Sequence, residues 1–271
     1  MSAELRVLPV EGMPEVREGD AVGALIAARA ELEDGDVVVI SQKVVSKAEG
    51  MVRRLSEVKP SARARELADE LDKEAELVEL VLSESREVLR AERGVLITET
   101  HHGFVCANAG IDASNLPEDG TVCLLPKDPD ASARAIRSEI GTAMEGRIQR
   151  TLKRGPRGGP NSADAEFGPP AIVVADSFGR AWRLGQAEVA IGCAGLLPLD
   201  DWRGREDAHG RELAATAIAI ADQVAAAADL VRSKDSGFPA AIVRGLGRHV
   251  TTEDGLGAGA LRRPAAEDLF R

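Results

Sequence analysis

Short apolar runs punctuated by Gly, Pro and Asp set the rhythm of this chain. Leu5 to Val10 alternates like a short strand and stops in Pro9-Val-Glu-Gly-Met-Pro14, a loop signal. Apolar residues at helical spacing over Ala21–Leu32 predict a helix that closes at Asp34-Gly35. Asp36-Val-Val-Val-Ile40 reads as a buried strand running into Ser41-Gln42-Lys43. Ser61–Arg93, rich in Ala, Glu, Leu and Arg, is expected to be helical with a break near Ser83-Glu84-Ser85, its charge forming a solvated face. Val95–Thr100 opens a strand pair that ends in Gly103-Phe-Val-Cys-Ala-Asn-Ala-Gly-Ile-Asp112-Ala-Ser-Asn115. A helix begins at Asp130-Ala-Ser132, with Asp130 or Ser132 as its cap. Ala171–Ala175 is a β-branched strand ending at Asp176-Ser177, Ala214–Val231 an Ala-rich helix, and Pro239–Arg244 a last strand.

Two segments break the rhythm. Residues 146–170 are basic and rich in Gly and Pro, which reads as a loop or insertion. The tail 246–271 is Gly-rich and then charged, so order is expected to fade there. Strands alternating with helices place the fold in the α/β or α+β class, and no internal repeat is present.

Composition narrows the functional classes. With 271 residues, 44% of them hydrophobic, the chain can bury a substantial core. A net charge of −11 argues against nucleic acid or anionic membrane as a general partner. Aromatic residues make up only 3%, so nucleotide recognition has to rest on backbone, amide and aliphatic contacts. No apolar run approaches the roughly 18 residues of a membrane span and Met1–Arg6 lacks a signal-peptide core, so a cytoplasmic protein is expected. Cys106, Cys123 and Cys193 sit among apolar or small residues without C-x-x-C spacing and read as buried structural thiols.

The chemistry concentrates where strands end. Asp112 and Asp176 each follow a strand beside a hydroxyl, an arrangement suited to Mg²⁺ or Mn²⁺, although turn formers or caps fit the spacing equally well. Lys43 and Lys47 follow the Asp36–Ile40 strand four residues apart, able to share one helical face and meet phosphates. No Walker or Rossmann signature exists, and Gly185–Gly192 matches neither pattern. His101-His102 lacks a third ligand close by, and His209 lies in a polar loop.

Five ordered segments carry a resemblance: Val39–Gly50, Gly103–Asn115, Leu124–Ser132, Asp176–Arg180 and Gly185–Gly192. Together they resemble the coenzyme F420:L-glutamate ligase family over most of residues 5–245. The resemblance implies a mixed α+β, two-lobed ligase fold, neither Rossmann nor P-loop, over residues 1–245, assembled as an intertwined homodimer. It implies a GTP-dependent enzyme that adds L-glutamate to F420-0 and then further γ-linked glutamate, aided by Mg²⁺ or Mn²⁺ and by K⁺. On matching positions Asp112 and Asp176 would hold one metal and Ser177 would contact a second. The nucleotide would be gripped by Met13, Pro14, Glu15 and Val16, by Gln42, Lys43, Lys47 and Asn115, and by the turn Arg232, Ser233, Lys234, Asp235, Ser236, Gly237, Phe238 and Pro239. Lys43, Lys47, Asp112 and Asp176 would be the catalytic set.

One departure stands out. Lys234 occupies a turn position where a glutamine metal ligand is expected, and a protonated lysine cannot ligate a hard cation. Glu188 and His102 are candidate bases, and Arg180 and Arg183 candidate partners for substrate oxyanions. An amide ligase with another phosphorylated carboxylate acceptor, or a GTP-binding module without turnover, would share these features.

Overall fold

The computed structural model describes residues 4–116, 118–153 and 168–268. In chain order its elements are β1 (Arg6–Pro9), α1 (Val22–Ala27), β2 (Val37–Ser41), α2 (Gln42–Ala48), β3 (Val52–Arg54), α3 (Ala62–Leu71), α4 (Ala75–Ser83), β4 (Ser85–Glu92), β5 (Val95–Thr100) and β6 (Val105–Ala107). There follow β7 (Thr121–Cys123), α5 (Pro129–Lys153), β8 (Ala171–Arg180), β9 (Arg183–Ala194), β10 (Leu199–Asp201), β11 (Ala217–Ala219), α6 (Ile220–Asp229) and β12 (Ala240–Arg244). This is a mixed α and β architecture of the α+β kind. No helix among the described residues is long and apolar enough to cross a membrane.

A five-stranded sheet in the order β1-β12-β2-β8-β9 forms the centre. Within it β2 and β8 pair in parallel, and the other neighbours are antiparallel. Both faces of this sheet are covered, which is why β2 and the first half of β8 are continuous apolar runs rather than alternating ones. Val38, Ile40, Ile172 and Val174 face one way and pack with Ile26, Ile136 and Ile140 of α1 and α5. Val37, Val39, Val173 and Val243 face the other way and pack with Ala221, Val224 and Ala228 of α6. Gly23 marks the close approach of α1 to α5. Its N–H donates to Glu139 Oε2 at 2.7 Å, and a Cβ there would stand 2.7 Å from the Glu139 Cβ. A separate small core, with Leu67, Leu71, Val78 and Leu96, joins α3 and α4 to the β4-β5-β6 sheet.

Several expectations change. The helix expected through Arg93 ends at Ser83, close to the expected break, and Ser85–Glu92 is a strand paired with β5. The strand from Ala171 does not stop at Asp176 but runs to Arg180 as one arm of a hairpin with β9, so Gly185–Gly192 is strand. The Ala-rich segment has a short strand at Ala217–Ala219 before its helix. At the start of α5 the cap is Asp128, whose Oδ1 accepts from the Ala131 N–H at 2.9 Å. Asp130 instead accepts from the Cys193 and Ala258 N–H groups, and Ser132 Oγ donates to Glu49 and to the Asp128 carbonyl. Of the basic segment, residues 147–153 continue α5 and residues 154–167 lie outside the described residues.

The tail keeps its order through residue 268, the last described. Arg137, itself buried, donates to the carbonyls of Thr251 and Thr252 and to Asp254 Oδ1 at 2.6, 3.1 and 3.0 Å. Beyond that clamp, Ala258 is buried in the same core as α6. The composition of the tail conceals these anchors because they are donated by residues far upstream.

Candidate active site

The topology brings four separate segments to one end of the central sheet. Ser41 at the end of β2 is in register with Ala175 of β8, so Gln42 and Asp176 emerge side by side. Ala240, the first residue of β12, pairs with Ile40, which delivers the preceding turn 232–239 to the same place. Ser177 pairs with Glu188 across the β8/β9 hairpin. Ligands of α/β sheets characteristically bind outside the carboxyl ends of parallel strands, and here a cleft of about 770 Å³ opens there.

One turn apart on α2, Lys43 and Lys47 face the same loops, as their spacing suggests. Lys43 Nζ is 2.8 Å from Asp112 Oδ2 and donates to the Ser114 carbonyl at 2.6 Å and to Ser114 Oγ at 3.0 Å. Lys47 Nζ donates to Glu15 Oε1 at 2.6 Å and to the Asn115 carbonyl at 3.3 Å, tying the 13–16 loop to the 112–115 loop. Asp112 is further held by the Ser114 N–H at 2.7 Å. Burial alone would raise its carboxyl, but the hydrogen bonds from Lys43 and Ser114 overcome this and hold it below the usual range.

Asp176 is the opposite case. Burial pushes its carboxyl up to about 7, against a hydrogen bond from the Ser177 backbone, and the charges of Glu188 and Asp112 add to the rise. Ser177 Oγ accepts from Lys234 Nζ at 3.1 Å and donates to Glu188 Oε1 at 3.4 Å. Glu188 in turn forms an ion pair with Arg232, the side chains being 8% and 3% exposed. Burial pushes the Glu188 carboxyl up while the guanidinium pulls the other way.

Almost every residue expected at the site lines this cleft: Met13, Pro14, Glu15, Val16, Gln42, Lys43, Lys47, Asp112, Asn115, Asp176, Ser177, Arg232, Ser233, Lys234, Asp235, Gly237, Phe238 and Pro239. Ser236 is the exception, its hydroxyl bonding to the Ser233 carbonyl and receiving the Phe238 N–H inside the turn. Gln42 is buried and spends its amide on Ser46 Oγ and the Leu124 carbonyl, so it braces the wall. Arg232 likewise is structural on two sides, bonding Glu188 and the Pro239 carbonyl.

Other candidates lie elsewhere. His102 Nε2 bonds to the carbonyls of Pro126 and Lys127 and is not part of the cleft, and His101 bonds to the Ser83 carbonyl. Glu188, engaged by Arg232, is no free base. Arg180 turns back onto the carbonyls of Leu184 and Gly185 at the hairpin end, and neither it nor Arg183 lines the cleft. The three cysteines are free and buried, with the Cys106 and Cys193 thiols pushed up to about 12 by burial and nearby carboxylates. His209 stays in its turn, its N–H donating to Asp207 Oδ1.

Sequence reasoning notes a hydroxyl beside Asp112 but gives Ser114 no role, and its hydroxyl and carbonyl complete the Lys43 cage. Asp followed two residues on by Ser is a turn pattern that could flag it, since an Asp side chain accepts from the backbone two positions ahead. Gln186 and Phe178 are missed as lining residues because the hairpin that carries them is not evident from its Gly-containing sequence.

The donor set can be tested against a divalent ion. Among the described residues no group of three or more His, Cys, Asp or Glu side chains converges as a ready-made cage. Two carboxylates and a hydroxyl nevertheless suit Mg²⁺ or Mn²⁺, which commonly takes one or two carboxylates and completes its shell with water and phosphate. Asn108 Oδ1 and Arg232 Nε, both in residues lining the cleft, are buried and unpaired among the described residues, and a water or a polar ligand would satisfy them. The residues present therefore fit one hard cation beside a phosphorylated ligand.

Comparison with known proteins gives the family of the chain. The family model described as F420-0:Gamma-glutamyl ligase matches residues 12–153 and 163–245. The chain is 41% identical to the coenzyme F420:L-glutamate ligase of Methanothermobacter thermautotrophicus, covering 98% of this chain and 99% of the relative. It is 42% identical to the protein of the same name from Archaeoglobus fulgidus, over 89% of this chain and 88% of the relative. A third relative so named, from Haloarcula marismortui, is 42% identical over 89% of this chain and 87% of its own length. With a matching family model over most of its length and relatives aligned almost end to end, this chain belongs to the F420-0:gamma-glutamyl ligase family.

Proposed function

We propose that this protein joins L-glutamate to the carboxylate of F420-0 at the expense of GTP, then adds further glutamate through γ-linkages, releasing GDP and phosphate. The observation that carries this reading is the meeting of Asp112, Asp176 and Ser177 with Lys43, Lys47 and Lys234 in one cleft of a chain with these relatives.

The mechanism follows from the weakness of a free carboxylate as an electrophile. Transfer of the γ-phosphoryl group to the acceptor carboxylate gives an acyl phosphate, and the amine of glutamate then displaces phosphate. Such transfer needs little covalent help from protein and much positioning and charge stabilisation. Lys43 and Lys47 would meet the nucleotide phosphates, released from Asp112 and Glu15 as the ligand oxygens arrive. Lys234, held on Ser177, supplies positive charge on the opposite wall. The Met13–Val16 loop, Asn115 and the turn from Arg232 to Pro239 would enclose the rest of the nucleotide. Asp112 and Asp176, with Ser177 beside them, would hold Mg²⁺ or Mn²⁺, which when bound neutralises charge on the phosphoryl oxygens. K⁺ would act as a monovalent activator, and the working form would be an intertwined homodimer in the cytoplasm.

Incubating the protein with F420-0, L-glutamate, Mn²⁺ and either GTP or ATP, then weighing the products, tests this. A mass gain of one or more glutamate residues with GDP release supports it. Product formation only with another carboxylate would move the reading to a related amide ligase, and GTP binding without GDP release to a non-catalytic module.

A further inference from the structure

A second hollow, of about 270 Å³, lies beyond the first and is assigned no role by the proposed reaction. Its wall is the Phe104 ring, with the His102 imidazole stacked at 5.7 Å and the Arg262 guanidinium 5.9 Å from the ring centroid. The group is linked to the main cleft through Phe178, which lines that cleft and packs edge-on with Phe104, centroids 6.2 Å apart.

Three cations, Arg86, Lys127 and Arg262, line this hollow with two carboxylates. Its carboxylates, Asp128 and Asp130, are committed to the backbone N–H groups of Ala131, Cys193, Ala258 and Gly259. Its cations have fewer polar partners among the described residues. Lys127 is exposed and forms no ion pair among the described residues. Arg86 forms an ion pair with Glu99 at 3.7 Å. Arg262 gives Nη1 to the His102 carbonyl and has no carboxylate partner among the described residues. Moreover, Arg262 Nη1 and Arg86 Nη1 both approach the point where residue 103 would carry a Cβ, at 3.6 and 4.0 Å. Two guanidinium groups that pass the same point favour an anion near both.

We propose that this hollow is a binding site for a small, multiply charged oxyanion, carboxylate or phosphate, gripped by Arg86, Arg262 and Lys127 against the Phe104 wall. Arg262 is carried there by the tail, past residue 245 where the match to the family model ends. The site therefore depends on a segment that the family model does not cover. Its ligand would bear on the reaction cleft through the Phe104–Phe178 contact.

Calorimetric titration of the full-length protein with inorganic phosphate and, separately, L-glutamate tests this, with and without GTP. Arg262→Gln and Lys127→Gln are the informative variants, because both side chains stand outside the reaction cleft. Binding of either anion in the presence of GTP, weakened at least tenfold in both variants while GTP affinity and the thermal midpoint stay put, is the expected result. Which anion binds identifies the source as phosphate or carboxylate. Anion affinity unchanged in the two variants, or no binding of either anion with or without GTP, would overturn the site. The reading stands apart from the ligase activity, since the variants report on anion binding even if GTP fails to bind.

Discussion

Lys43 Nζ and Asp112 Oδ2 stand 2.8 Å apart at the mouth of the cleft, a contact between residues from two separate segments of the chain. In the proposed reaction Asp112 would serve two cations in turn, the lysine seen here and a divalent ion. Asp112→Asn keeps the shape and removes the charge. We expect kcat/KM to fall by about 10²–10³-fold, the scale on which loss of one electrostatic stabiliser is felt. Near-normal turnover at saturating Mn²⁺ would take Asp112 out of the metal shell.

The Arg232–Glu188 pair braces the wall rather than reacting. Removing one partner leaves a buried charge without its counter-ion, at a cost of about 3–5 kcal/mol. Arg232→Met and Glu188→Leu should each lower the urea midpoint strongly, and the double variant should recover much of the loss. Additive losses in the double-mutant cycle would show that the two side chains are not coupled.

Lys234 holds Ser177 where a neutral side chain would leave the pocket more negative. In Lys234→Gln, Mn²⁺ should bind more tightly and GTP without metal more weakly, by about tenfold each way, the order of one lost charge contact. Calorimetry with each ligand alone reads both shifts. Identical affinities for both would mean that Lys234 plays no electrostatic part.

The buried His249 couples the tail to pH. Burial, and then the charge of Arg248, hold its imidazole below 6.5, with Asp200 pulling weakly upward. The unfolded chain therefore takes up the proton first as pH falls below 6.5, and stability drops between that value and the folded one, then levels. Above 6.5 the residue contributes no slope. His249→Gln can still accept from Arg248 and should flatten the fall below pH 6.5 in urea midpoints. An unchanged slope in the variant would assign the acid sensitivity elsewhere.

Much of the site is legible in the sequence because it sits at the ends of strands whose apolar runs are unambiguous. Val37–Ile40 and Ala171–Ala175 read as buried from composition alone, and the polar residues directly after them, Gln42-Lys43 and Asp176-Ser177, have to emerge at an edge. Ser85–Glu92 is not legible, since Arg, Glu, Leu and Ala favour a helix and only the pairing with β5 makes it a strand. The Glu188–Arg232 pair is hidden for a different reason. Its members are 44 residues apart, and no local pattern distinguishes an arginine that binds phosphate from one that satisfies a buried carboxylate. The order of the tail rests on Arg137 and Asp130, and a Gly-rich composition says nothing about distant donors.

The parallel pairing of β2 with β8 has a consequence for how the enzyme comes into being. These strands are joined only after the chain between Ser41 and Ala171 has been made and closed, an expensive loop that slows folding. Lys43, Asp112, Asp176 and Lys234 share no local segment, so no shorter fragment emerging during synthesis can hold the reactive cleft. Ligand binding then becomes a timer: its first appearance dates the moment at which the central sheet has closed.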